Sequence, residues 1–183
     1  MAKFQFQETV VNEYDEAFTV RFGVTGASGN VTDKEVGKFA KLAAASGSGN
    51  DLRGSQYTLC AQGDPIEAVV LGVETPTQDG YTIASVVDCG LKHVKFDGLQ
   101  ATAGTGTIVL GDYVVCGTVV VKGTSLGTDV AKVCKATEQP GSTPAALVNA
   151  GTQAKNAMFA WRVESFETDG AVGSFGIIRR VNC

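Results

Sequence analysis

His93 is the one histidine in the 183 residues, so any Ser-His-Asp or Cys-His relay has to run through it. Lys92-His93-Val94-Lys95 alternates, which places His93 on one strand face with Lys95 and near the surface. The chain has no GxSxG nucleophile elbow, and a surface strand histidine is the expectation. Gly104-Thr105-Gly106-Thr107 contains half of a nucleotide-binding loop. Val109 stands where GxGxxG needs its third glycine, and no Gly-Lys-Ser/Thr follows a spaced glycine. A flexible turn is therefore expected there. Asp64, Asp79, Asp97 and Asp112 each fall at a turn signal, where an aspartate ordinarily hydrogen-bonds local backbone. Glycosidase chemistry needs two carboxylates about 5–9 Å apart, and dispersed acids leave such a pair to the fold. No Asp-x-Asp-x-Asp-Gly calcium loop occurs.

Cysteines and aromatics extend the inventory. Cys60, Cys89, Cys116, Cys134 and Cys183 are odd in number, and no two lie within four residues of each other. That spacing gives neither a zinc ribbon nor a CxxC pair. The expectation is buried, reduced thiols in a protein assembled in a cytoplasm, with Cys183 the more exposed. Trp161 belongs to a Phe159/Trp161/Val163 alternation, which marks it as a core anchor rather than a stacking platform for a sugar or base. No catalytic residue, cofactor or metal is expected.

The elements that must position these residues read as strands. Glycine is abundant (23) and scattered while proline is scarce (4), the composition of many short strands and tight turns. Ala17 to Gly23 alternates, with Phe18, Val20 and Phe22 on one face. Thr32 and Glu35 form a capping box flanked by Val31 and Val36, which predicts a short helical turn near 32–37 and then a strand over 38–43. Further strands are expected over 57–60, 66–74, 81–87, 92–96, 107–110, 113–121, 130–135, 158–166 and 172–181. Turns are expected at Asp79-Gly80, Cys89-Gly90, Asp97-Gly98 and Gly111-Asp112. Thr143-Pro144 opens either a short helix near 144–149 or an ordered loop. The domain reading is an N-terminal arm and strand over 1–30, a β-barrel or tulip core over 31–136, and over 137–183 a loop or short helix with strands that close the fold.

A net charge of −4, with no run of Lys or Arg longer than Arg179-Arg180, lacks the basic footprint of a nucleic-acid binder. The opening MAKFQFQETV has no apolar h-region, and the apolar stretch near 114–121 is too short to span a bilayer.

The runs TDKEVGKFAKL, YTLCAQGDPIEAVVLGVE, DGYTIASVVDCG and LGDYVVCG resemble the cement (decoration) proteins of tailed-bacteriophage capsids. The closing FAWRVESF and GAVGSFGIIRRVN are similar to that family's end, whereas 137–156 has no counterpart. The resemblance implies an all-β, tulip or barrel-like fold and a homotrimer. It also implies docking on the outer capsid surface against the major capsid protein, after synthesis in the host bacterial cytoplasm. It carries no catalytic residues. The expected function is reinforcement of contacts between capsomers against DNA pressure. Phe4 and Phe6 either reach a neighbouring subunit as an inter-subunit arm or pack on their own barrel. Two other classes are weighed: a carbohydrate- or receptor-binding β-domain, which needs exposed aromatics, and a hydrolase built on dispersed carboxylates.

Overall fold

The computed structural model describes residues 9–10, 17–24, 31–32, 35–43, 56–74, 81–118, 130–136 and 161–181. In chain order the strands are β1 (Thr9–Val10), β2 (Phe18–Val24), β3 (Phe39–Leu42), β4 (Tyr57–Leu59), β5 (Ala68–Val73) and β6 (Tyr81–Val87). They continue as β7 (Leu91–Leu99), β8 (Thr102–Ala103), β9 (Val114–Cys116), β10 (Lys132–Lys135), β11 (Trp161–Phe166) and β12 (Phe175–Arg180). The described chain is all-β, as its composition and alternation imply.

Seven strands make the first sheet, in the order β11-β12-β7-β10-β9, with β1 and β8 also paired to β7. Its two ends meet. An antiparallel bridge joins Tyr113 to Arg162, and Val163 exchanges backbone bonds of 2.9 Å with Gly111 and Asp112. The sheet thus curls into a barrel-like body. Val94, Phe96, Val133, Trp161, Val163 and Ile178 point inward, one face of each alternating strand.

The second sheet runs β2-β6-β5-β3-β4, and a parallel bridge between Arg21 and Gln56 brings its outer strands together. It is buried on both faces. Phe39, Val69 and Val87 join the core of the first sheet, while Ala68, Val70, Ala84 and Val86 pack with Val20 and Phe22. Two-sided burial explains why β5 reads as the nearly continuous apolar run AVVLGV. Backbone bonds from Gly63 to Cys116 (2.8 Å) and from Cys116 to Asp64 (2.9 Å) stitch the sheets together.

Several expectations are corrected. Asp97-Gly98 is not a turn but part of β7, and the chain reverses at Gln100-Ala101. Gly98 makes this possible: at φ +84° it bends the strand so that Leu99 N–H reaches Thr105 O (2.9 Å). Residues 107–110 form no strand, only the bridge from Thr107 to Ala171, because Ile108 N–H is drawn to Gly170 O at 2.9 Å. Near 32–37 one half of the capping box is formed: Glu35 accepts from Thr32 N–H (2.8 Å), and it also accepts from Thr32 O–H (2.7 Å). Glu35 N–H and Lys38 N–H both bond three residues back, at 2.9 and 3.0 Å, which is a tight turn leading straight into β3. The expected helix near 144–149 lies outside the described residues.

A Cβ at Gly98 would stand 2.1 Å from Thr105 O, whereas one at Gly104, also at positive φ, meets nothing within 4 Å. Gly98→Ala is expected to cost more than about 3 kcal/mol, and Gly104→Ala only the left-handed penalty of about 1 kcal/mol. Urea unfolding of the two variants measures the difference.

Candidate functional site

His93 is not a surface residue: it is 8% exposed, although it does share its strand face with Lys95 as the alternation implied. Strand β12 accounts for the burial. Register sets His93 against Ile177, and the imidazole stacks on Phe175 at 5.4 Å and 10°. Lys95 Nζ lies 5.5 Å from the same ring, a cation–π contact. His93 Nε2 is 2.8 Å from Glu167 Oε1, so the ring donates from Nε2 to the carboxylate. Its Nδ1 is buried without a partner. In a catalytic relay the two ring nitrogens serve a carboxylate and a nucleophile. Here one serves a carboxylate and the other is closed off, so the group ties β7 to the chain after β11.

Carboxylates singled out from the sequence hold backbone. Asp64 accepts from Ala61 N–H (2.7 Å) and pairs with Lys41 (2.6 Å). Asp112 accepts from Val109 N–H (2.9 Å) and pairs with Lys135 (2.9 Å). Asp97, from within β7, accepts from both the N–H and the hydroxyl of Thr118, with Lys132 at 3.7 Å. Asp79 lies outside the described residues. The sequence reading missed Asp169. It accepts from Ser174 O–H (2.6 Å) and Ala171 N–H (3.0 Å), which hold its carboxyl below the ordinary 3.8. The Asp-Gly dipeptide at 169–170 was the available signal.

Cys60, Cys116 and Cys134 are buried free thiols that donate to the carbonyls of Pro65 (3.4 Å), Cys60 (3.9 Å) and Asp97 (3.7 Å). Burial, then neighbouring Asp64, Cys134 and Asp97, pushes Cys116 up to about 12. Burial and Asp97 push Cys134 up to about 11, and burial raises Cys60 further still. Cys89 departs from the reduced expectation: it is disulfide-bonded, its partner lying outside the described residues. Among the described residues no group of three His, Cys, Asp or Glu side chains is placed to hold a metal.

Gly104-Thr107 is an exposed turn whose first two N–H groups already donate to Asp97 O (2.8 Å) and Thr102 O (3.1 Å), so they do not converge on an anion. Trp161 is fully buried in the barrel and shows no ring face to a ligand. Phe4 and Phe6 lie outside the described residues, but the arm's Thr9 and Val10 pair with Lys92 and Leu91 of their own chain. Exposed large hydrophobics occur instead at Leu42, Val109, Leu110 and Val172. No protein-family model, curated protein or solved structure matches this chain.

Two measurements check these assignments. In native protein at pH 8 the three free thiols are expected to resist a thiol reagent, to react on unfolding without reductant, and to be joined by two more after reduction. For Asp169, the depressed folded value means that its contribution is present above pH 3.8 and is lost as pH falls below it. Ser174→Ala is expected to flatten the acid limb of a stability–pH profile in that window.

Proposed function

We propose that this protein is a structural component of a virion: a homotrimer that binds the outside of an icosahedral phage capsid and reinforces the junctions between capsomers. The observation that carries the proposal is the use made of its polar side chains. Asp64, Asp97, Asp112, Asp169 and His93 all hold the scaffold together, and what the scaffold offers outward is shape and surface. The sequence resemblance to capsid cement proteins supplies the identity of the partner, the major capsid protein.

The mechanism is mechanical. Packaged DNA presses outward on a shell of repeated subunits. A small rigid body seated across a junction adds contact area where neighbours would separate. A specific contact of about 800 Å² per partner suffices. Three linked copies on a lattice raise the effective concentration of each contact, so individual contacts need not be strong. Rigidity is essential to the role, because a clamp that deforms transmits no load. Two curled sheets sharing one core supply it.

Purified particles are expected to contain this chain in many copies on their outer surface, and particles lacking it to lose DNA at lower temperature or on dilution of divalent salt. Electron microscopy of both preparations decides the matter: an unchanged density map sinks the proposal. Removing residues 1–11 tests the arm, since an unchanged trimer that still binds shells dismisses its role between subunits.

A further inference from the structure

Leu110 (58% exposed) and Val109 (54%) are consecutive, and the bridge from Thr107 to Ala171 lays Val172, also exposed, alongside the segment that leads to them. A surface turn is ordinarily polar. This one is apolar and firmly held. Asp112, clamped by Lys135, accepts from Val109 N–H, while its own N–H donates to Val109 O (3.1 Å). Gly111 N–H donates to Val163 O (2.9 Å). The backbone that carries these side chains is therefore fixed before a partner arrives, so less ordering is needed on binding. Residues 98–111 carry no charge at all. The charges that flank it, Asp112 and Lys135, are paired with each other, which leaves an apolar centre of the kind found in interface cores. The neighbouring chain contributes an acid at the rim, the exposed Asp169.

The wall of the same barrel has the opposite character. Arg162 stands directly across from Arg179, a like-charged pair that is unfavourable by itself. Both reach Glu164, but only at 4.0 and 3.9 Å, and their side chains remain 44% and 57% exposed. Two guanidinium groups thus share one carboxylate, in a chain whose net charge is −4.

We infer that the barrel end bearing Val109, Leu110 and Val172 docks on the Arg162/Arg179 wall of a second copy of this chain, with Asp169 supplying the carboxylate that the arginine pair lacks. A basic patch on some other protein would match the acidic rim but leave the arginine wall unanswered. A second copy answers both. The two surfaces differ, so the contact is heterologous and repeats head to tail until it closes. That the ring has three members rests on the function proposed above; the contact itself does not.

Sedimentation equilibrium of the full chain tests this with Leu110→Asp and Arg179→Glu, both at exposed positions, with circular dichroism and urea midpoint confirming the fold. The wild type is expected at a multiple of 18.9 kDa. Each variant is expected to weaken association at least tenfold and run as a monomer. An equimolar mixture is expected to give dimers, because one intact end meets one intact wall. A monomeric wild type at tens of micromolar, or either folded variant keeping the wild-type mass, overturns the contact. If both variants lose the ring, the contact stands even where the wild-type ring ignores capsid shells, a result that counts against the proposed function alone.

Discussion

β7 carries four strands on its two edges. β12 lies along residues 91–95 on one side, β10 along 95–99 and β1 along 91–92, and β8 folds back onto 98–99. A strand this deep in a body must find a partner for each backbone group, since an unpaired buried N–H or C=O costs about 1–3 kcal/mol. The rest of the first sheet follows from that requirement. Val94 and Phe96 face the core because His93, Lys95 and Asp97 face the other way. β9 is placed by β10 and β11 by β12, and their meeting at Tyr113 and Arg162 closes the sheet. The second sheet needs the closed one, because Phe39, Val69 and Val87 have their apolar surroundings there.

The outward face of β7 explains why charged groups come to be buried among the described residues. Asp97 reaches Thr118 beyond β9 and Lys132 at the start of β10, so one carboxylate spans three segments. Asp112 does the same for the Val109 turn and β10. Such pairs add little net stability against an apolar replacement, yet removing one partner leaves an uncompensated buried charge. Their effect is to fix which loop end meets which strand. Arg180 plays a related part between the sheets, its guanidinium donating to Glu67 O at 2.7 Å.

Legibility followed the range of the interactions. β2, β6, β11 and β12 alternate, and their positions could be read because period-two burial is written locally. The tight turn into β3 was legible from Thr32 and Glu35 for the same reason. Asp97-Gly98 misled because the dipeptide signals a turn, while the strand continues through a glycine at positive φ. His93 misled because its cover comes from Phe175 and Glu167, more than seventy residues along the chain, and nothing near His93 announces them. β1 has two residues and exists only because β7 offers an edge. Exposure of Val109 and Leu110 was hidden too, since IVL reads as core until the turn around Asp112 is seen.

Closure also limits how the protein can associate. Strand addition needs a free edge. At Tyr113–Arg162 and at Arg21–Gln56 the outer strands of each sheet already have partners, and the edge of β7 at Leu91–Lys92 is filled by the chain's own Thr9 and Val10. A neighbour at those places would have to displace bonds already made, exchanging like for like with no net gain of backbone pairing. Side-chain surfaces carry no such penalty. The apolar turn around Leu110 lies outside the ladders, and β11 and β12 present the arginine wall through side chains alone, so contact there leaves every strand pair intact. Among the described residues, a partner at those places would meet turns and outward side chains rather than open backbone edges.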